Sequence, residues 1–133
     1  MKDFSQMNFQ ERLELYFERA VQAWLILKDE AGLVAALAAA KTFNSIDRLI
    51  IIRVLDNFSA QGEKQENNNI VKDFLKGIND LKEIIMSRDW SIEDGVAERE
   101  RLKMVNPDYA QALVNGDPDI FIRKYPDYFN TEN

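Results

Sequence analysis

Ala31 to Phe58, AGLVAALAAAKTFNSIDRLIIIRVLDNF, is the most concentrated apolar stretch of the chain, and any fold has to hide it. Two kinds of apolar sequence follow one another there. Leu33 to Phe43 is rich in alanine, whose high helix propensity and small side chain predict a helix that approaches its neighbours closely. Leu49, Ile50, Ile51, Ile52, Val54 and Leu55 then form a run that is apolar almost all round, and its β-branched residues would also suit a buried strand. Helix is the better reading, because no second convincing strand exists to pair with it. Asn44 and Ser45 offer a break between the two runs. A serine oxygen can accept a bond from an orphaned backbone N–H, so a third helix is expected from Ile46.

The segments on either side read as cover for this core. Phe9, Leu13, Tyr16, Phe17, Ala20, Trp24 and Leu27 recur at spacings of three and four, which predicts an amphipathic first helix over 9–27. Leu15, Val21 and Leu25 widen its stripe, so either neighbours on two sides or a second subunit should cover it. That surplus is also the reason to expect a homodimer through this helix. Asp29, Glu30 and Gly32 read as a turn or kink before the alanine-rich helix. Ser59 to Asn69, SAQGEKQENNN, has no hydrophobic periodicity and reads as a polar loop. After it, Val71, Phe74, Leu75, Ile78, Leu81 and Ile85 form the stripe of a fourth helix, with Gly77 inside it. Ser91 and Asp94 have the spacing of a capping box and open a fifth helix over 92–104, one side of which should be solvated.

The chain from 106 to 133 has its own grammar. Pro107, Pro118 and Pro126 are each followed by Asp and then by Tyr or Ile, and proline is favoured at the first position of a helix. With Asn106 and Asp117 as caps and Gly116 as a stop, short helices are expected over 107–114 and 118–124, and only a turn beyond Pro126. The predicted fold is therefore all-α, an irregular bundle of about five main helices plus two short C-terminal ones, in a single domain over 1–133.

Composition narrows the function more by exclusion than by indication. There is no histidine and no cysteine, so serine triads, imidazole acid–base catalysis, disulfides and most zinc or iron sites cannot be assembled from this chain. The net charge of −6 opposes long-range attraction to nucleic acid or anionic lipid. MKDFSQMNFQER has neither the basic start nor the apolar core of a signal peptide, and no run approaches the roughly 20 apolar residues of a membrane span. A soluble, cytoplasmic protein without a membrane association is expected.

Three candidate sites follow. The leading one is the aromatic C-terminal segment, where Tyr109, Phe121, Tyr125, Tyr128 and Phe129 stand among acidic residues. Exposed aromatics make interface hot spots. They point to a non-enzymatic protein–protein interaction module, such as a small subunit, adaptor or inhibitor, with another protein as partner and no cofactor. If the same aromatics fold back, they latch the tail onto the bundle instead. The alternative is a helical enzyme or ligand-binding bundle in which Glu11, Glu14, Asp80 and Glu83, two pairs spaced by three, would hold a magnesium ion. Third is nucleic-acid binding by the helix–turn–helix outline of 33–53. Its second helix would present isoleucines rather than polar residues to base edges, which favours core packing.

Overall fold

The computed structural model describes residues 6–42, 48–63, 69–86 and 91–129. Among these residues every regular element is a helix: α1 (Phe9–Leu25), α2 (Glu30–Ala40), α3 (Arg48–Glu63), α4 (Asn69–Met86), α5 (Ile92–Val105), α6 (Pro107–Asn115), α7 (Ile120–Lys124) and α8 (Pro126–Phe129). The all-α class and the division into five main helices and short C-terminal ones are as expected. A one-turn helix, α8, replaces the turn expected beyond Pro126. No described helix is long and apolar enough to cross a membrane.

Helix α1 opens on a capping box. The Glu11 amide donates to Asn8 Oδ1 at 2.8 Å, and the Asn8 amide donates to Glu11 Oε1 at 3.1 Å, so two backbone donors that the helix cannot use are satisfied reciprocally. Its buried stripe is Leu13, Tyr16, Phe17, Ala20 and Val21.

The α1–α2 connection departs from expectation. Residues 29–32 are not a turn, because Asp29 caps α2 by accepting from the Ala31 amide at 3.1 Å and the helix begins at Glu30. Gly32 lies inside α2, and a Cβ there would stand 2.8 Å from the Ala20 carbonyl oxygen and 2.9 Å from the Trp24 nitrogen. The two backbones are in contact at this glycine. The chain reverses just before it, at Lys28, whose φ of 60° is in the left-handed region unusual for a residue with a side chain. Ala35, Ala36, Ala38, Ala39 and Ala40 are all buried, which is the close-approach role their size predicts.

Helices α3 and α4 pack on each other, burying Ile51, Val54, Leu55 and Phe58 from one and Ile78, Leu81 and Ile85 from the other. Helical backbone continues through Glu63, so 59–63 is helix rather than loop, and residue 69 already belongs to α4. Extending a helix that has already nucleated gains one hydrogen bond per residue fixed, which outweighs the polar composition of Ser59 to Glu63. The expected Ser45 cap and Ile46 start fall outside the described residues, as do residues 64–68 of the expected loop.

Helix α5 carries the expected capping box, the Asp94 amide donating to Ser91 Oγ at 3.2 Å and the Ser91 amide to Asp94 Oδ2 at 3.0 Å. Its solvated side is also as expected, with Val96 and Met104 exposed and Leu102 buried. Asn106 caps α6, accepting from the Tyr109 amide at 3.1 Å. Gly116 closes α6 with a φ of 63°, and the Asp117 amide reaches back to the Ala112 carbonyl at 2.8 Å. This is the left-handed stop that glycine provides without steric cost. Helix α7 starts at Ile120, later than Pro118, because Asp117 Oδ1 accepts from the Asp119 amide at 3.1 Å and holds 117–119 in a turn.

Candidate functional site

Of the five aromatic residues singled out in the tail, Tyr109 and Phe121 are buried and Tyr125, Tyr128 and Phe129 are half-buried, Tyr125 and Phe129 packing against the core. Tyr109 is 1 % exposed and Phe121 is 0 % exposed. The Tyr16 hydroxyl donates to the Tyr109 carbonyl at 2.8 Å. The Phe121 ring lies edge-on to Tyr16 at 5.1 Å and tilted against Tyr109 at 4.8 Å. Asp29 ties this group together. Its Oδ2 accepts from the Tyr109 hydroxyl at 2.6 Å and from the Tyr125 hydroxyl at 2.9 Å, while Oδ1 caps α2. One carboxylate therefore joins the start of α2, the first turn of α6 and the end of α7. Lys124 adds its ammonium over the Tyr109 and Tyr125 rings at 5.2 and 5.9 Å, and Arg19 pairs with Asp119 at 2.9 Å.

Burial raises the Tyr16 hydroxyl pKa, and burial followed by the Asp29 hydrogen bond raises those of Tyr109 and Tyr125. All three hydroxyls act as neutral donors in a latch that holds the tail down. Tyr128 and Phe129 are half-buried, their rings T-shaped at 4.9 Å, and Phe129 packs against the core.

The carboxylates of the magnesium reading are not brought together. Helix α4 meets the C-terminal end of α1, where Leu25 occupies the place a Cβ on Gly77 would take. Glu11 lies 14 residues before Leu25, roughly 20 Å away along the helix. Glu11 serves the α1 cap, Glu14 faces Arg53 at 3.9 Å, and Asp80 pairs with Lys76 at 3.1 Å. Among the described residues no three acidic side chains are placed to share an ion. Arg53 of α3 faces Glu14 at 3.9 Å and Lys82 of α4 pairs with Asp56. Of the apolar run of α3, Ile51, Val54 and Leu55 are buried, whereas Leu49 is 72 % exposed.

A cleft of about 410 Å³ opens between four helices, lined by Phe9, Lys41, Thr42, Arg99, Leu113 and Val114. Local chemistry explains why these residues meet. Gly95 lets α5 approach the end of α2, since a Cβ there would stand 3.0 Å from the Lys41 carbonyl oxygen. Arg99, one turn further along α5, donates to Thr42 Oγ1 at 3.2 Å, and Thr42 Oγ1 in turn donates to the Ala38 carbonyl at 2.8 Å. Cations at the C-terminal end of a helix are favoured by its dipole. Lys41 Nζ pairs with Glu98 Oε1 at 3.2 Å, and Arg101 reaches the same oxygen at 3.6 Å. Glu98 is only 7 % exposed, and its Oε2 is buried with no hydrogen-bond partner.

Phe9 and α6 form the other wall. The Phe9 ring packs on Gly116, where a Cβ would come within 2.8 Å of it, and the Arg12 guanidinium lies 5.7 Å from the ring centre. Leu113 is buried beneath, while Phe9 and Val114 remain 44 % and 65 % exposed at the rim. The described lining thus pairs two fixed cations with an apolar wall and contains no carboxylate. Sequence reasoning missed this site. Arg99 stands in the charged run 98–103 and reads as solvated, and no periodicity links Phe9, Lys41 and Val114.

Compared with family models, with curated proteins and with solved structures, the chain shows no match in any of the three.

Proposed function

We propose that the protein is a non-enzymatic, cytoplasmic interaction module, a small subunit, adaptor or inhibitor of a larger assembly, and that it receives its partner protein in the cleft between α1, α2, α5 and α6. The observation that supports this reading is the lining: Lys41 and Arg99 beside Phe9, Leu113 and Val114 on a chain of net charge −6. Aromatic residues and arginine are enriched in protein–protein interfaces. Tyr128 and Phe129 offer a secondary, smaller contact.

Comparative affinity capture from the native host with quantitative mass spectrometry tests this. Val114→Asp changes an exposed residue and should leave the fold intact by circular dichroism. A protein captured by the native chain should be lost with Val114→Asp and retained with Phe129→Ala. The reverse pattern would move the docking site to the tail.

A further inference from the structure

Resting on the reading of this cleft as the docking site, we infer that its occupant is a polypeptide segment carrying a single carboxylate directly beside a large apolar side chain. Both cations are held in place before anything binds, Lys41 by Glu98 at 3.2 Å and Arg99 by Thr42 at 3.2 Å. Little side-chain entropy is left to lose when an anion arrives. The Arg99–Thr42 bond uses one of the five N–H donors of a guanidinium, whose fork matches a carboxylate. The anion falls chiefly to Arg99, because Lys41 is already paired with the Glu98 carboxylate whereas Arg99 donates to the uncharged Thr42 hydroxyl.

The apolar half of the occupant follows from the opposite wall. Phe9 and Val114, exposed at the rim over buried Leu113, offer an apolar surface that a large apolar side chain would cover. About 410 Å³ is near the lower end of the 300–1,000 Å³ typical of ligand sites, room for one anchor and its charged neighbour. The net charge of −6 sets an upper limit on the partner's acidity, because a strongly acidic tract would be repelled before it reached the cleft. A short segment with a single carboxylate satisfies both the local attraction and the overall repulsion.

The test uses the full chain and two fluorescein-labelled pentapeptides, Gly-Phe-Leu-Glu-Gly and Gly-Phe-Leu-Gln-Gly, both amidated at the C-terminus, with affinity read by fluorescence anisotropy. The glutamate peptide should bind about tenfold more tightly than the glutamine peptide. Arg99→Gln should remove that advantage without weakening the glutamine peptide further, and Arg99→Lys should keep part of it. Val114→Asp should weaken both peptides.

Equal binding of the two peptides, with Val114→Asp still weakening both, would overturn the carboxylate inference and leave the cleft as the docking site. Absence of binding by the glutamate peptide would likewise overturn the occupant, with the capture comparison deciding separately on the cleft. Unchanged binding to Val114→Asp would overturn both. Concentration-dependent dimerisation abolished by Val114→Asp would make the occupant a second copy of the chain and overturn the inference.

Discussion

Where α1 meets α2 the contact is made by what is missing from the side chains. Gly32 brings a backbone within 2.8 Å of where its Cβ would be, and five alanines from Ala35 to Ala40 complete the buried face. Where α3 meets α4 the contact is made by volume, with Ile51, Leu55 and Phe58 buried from one helix and Ile78, Leu81 and Ile85 from the other. Both pairs hide an apolar helix, yet their weaknesses should be opposite. The first cannot accept added atoms and the second cannot lose them. The cleft lies at the other end of the first pair, between the start of α1 and the end of α2, where the Phe9, Lys41 and Thr42 side chains line it.

Substitutions can break this contrast. Leu81→Ala should have the largest effect, lowering stability by about 3 kcal/mol or more through lost burial and the cavity left behind, measured by urea unfolding. Gly32→Ala should cost about 2 kcal/mol although alanine is the better helix former, because the atoms in its way are backbone. A neutral or stabilising Gly32→Ala would mean that α1 and α2 are not in backbone contact. Tyr109→Phe should cost about 1.5 kcal/mol by removing a hydroxyl that donates to Asp29. Gly77→Ala should be the mildest, within about 1 kcal/mol of the native chain, since the atoms it meets are the end of the Leu25 side chain and the helix gains propensity.

The latch adds a pH dependence. Tyr16, Tyr109 and Tyr125 have folded-state pKa values raised above the usual value of about 10, so above that pH the unfolded chain releases protons that the folded chain keeps. Their contribution is therefore fully present below about pH 10 and is lost as the pH rises beyond it. Thermal unfolding from about pH 8 to 11 should show a flat region and then a fall, and Tyr109→Phe should make that fall shallower. An unchanged slope in the variant would show that Tyr109 ionises in the folded state as readily as in the unfolded one.

How much of this was legible depends on whether the signal was local. The stripe of α1, the Ser91–Asp94 box and the Asn106, Pro107 and Gly116 boundaries of α6 were readable because capping and periodicity act within a few residues. Gly32 misled, since a glycine at a turn and a glycine at a helix crossing look the same until the second helix is in place. Residues 59–63 read as loop because their composition is polar, whereas the helix already formed from Arg48 continues through them. Phe121 could not be assigned to the core or to the surface without knowing that Tyr16 and Tyr109 would enclose it. The cleft was illegible for the same reason, as its six lining residues come from four parts of the chain.

If the cleft between α1, α2, α5 and α6 carries the docking site, a photo-crosslinking residue introduced at its rim should capture the partner. Benzoylphenylalanine placed at position 114, and separately at position 128, can be irradiated in the host cell and the adducts identified by mass spectrometry. The cleft predicts a specific crosslinked protein from position 114 and little or none from position 128. A partner crosslinked only from position 128 would contradict it.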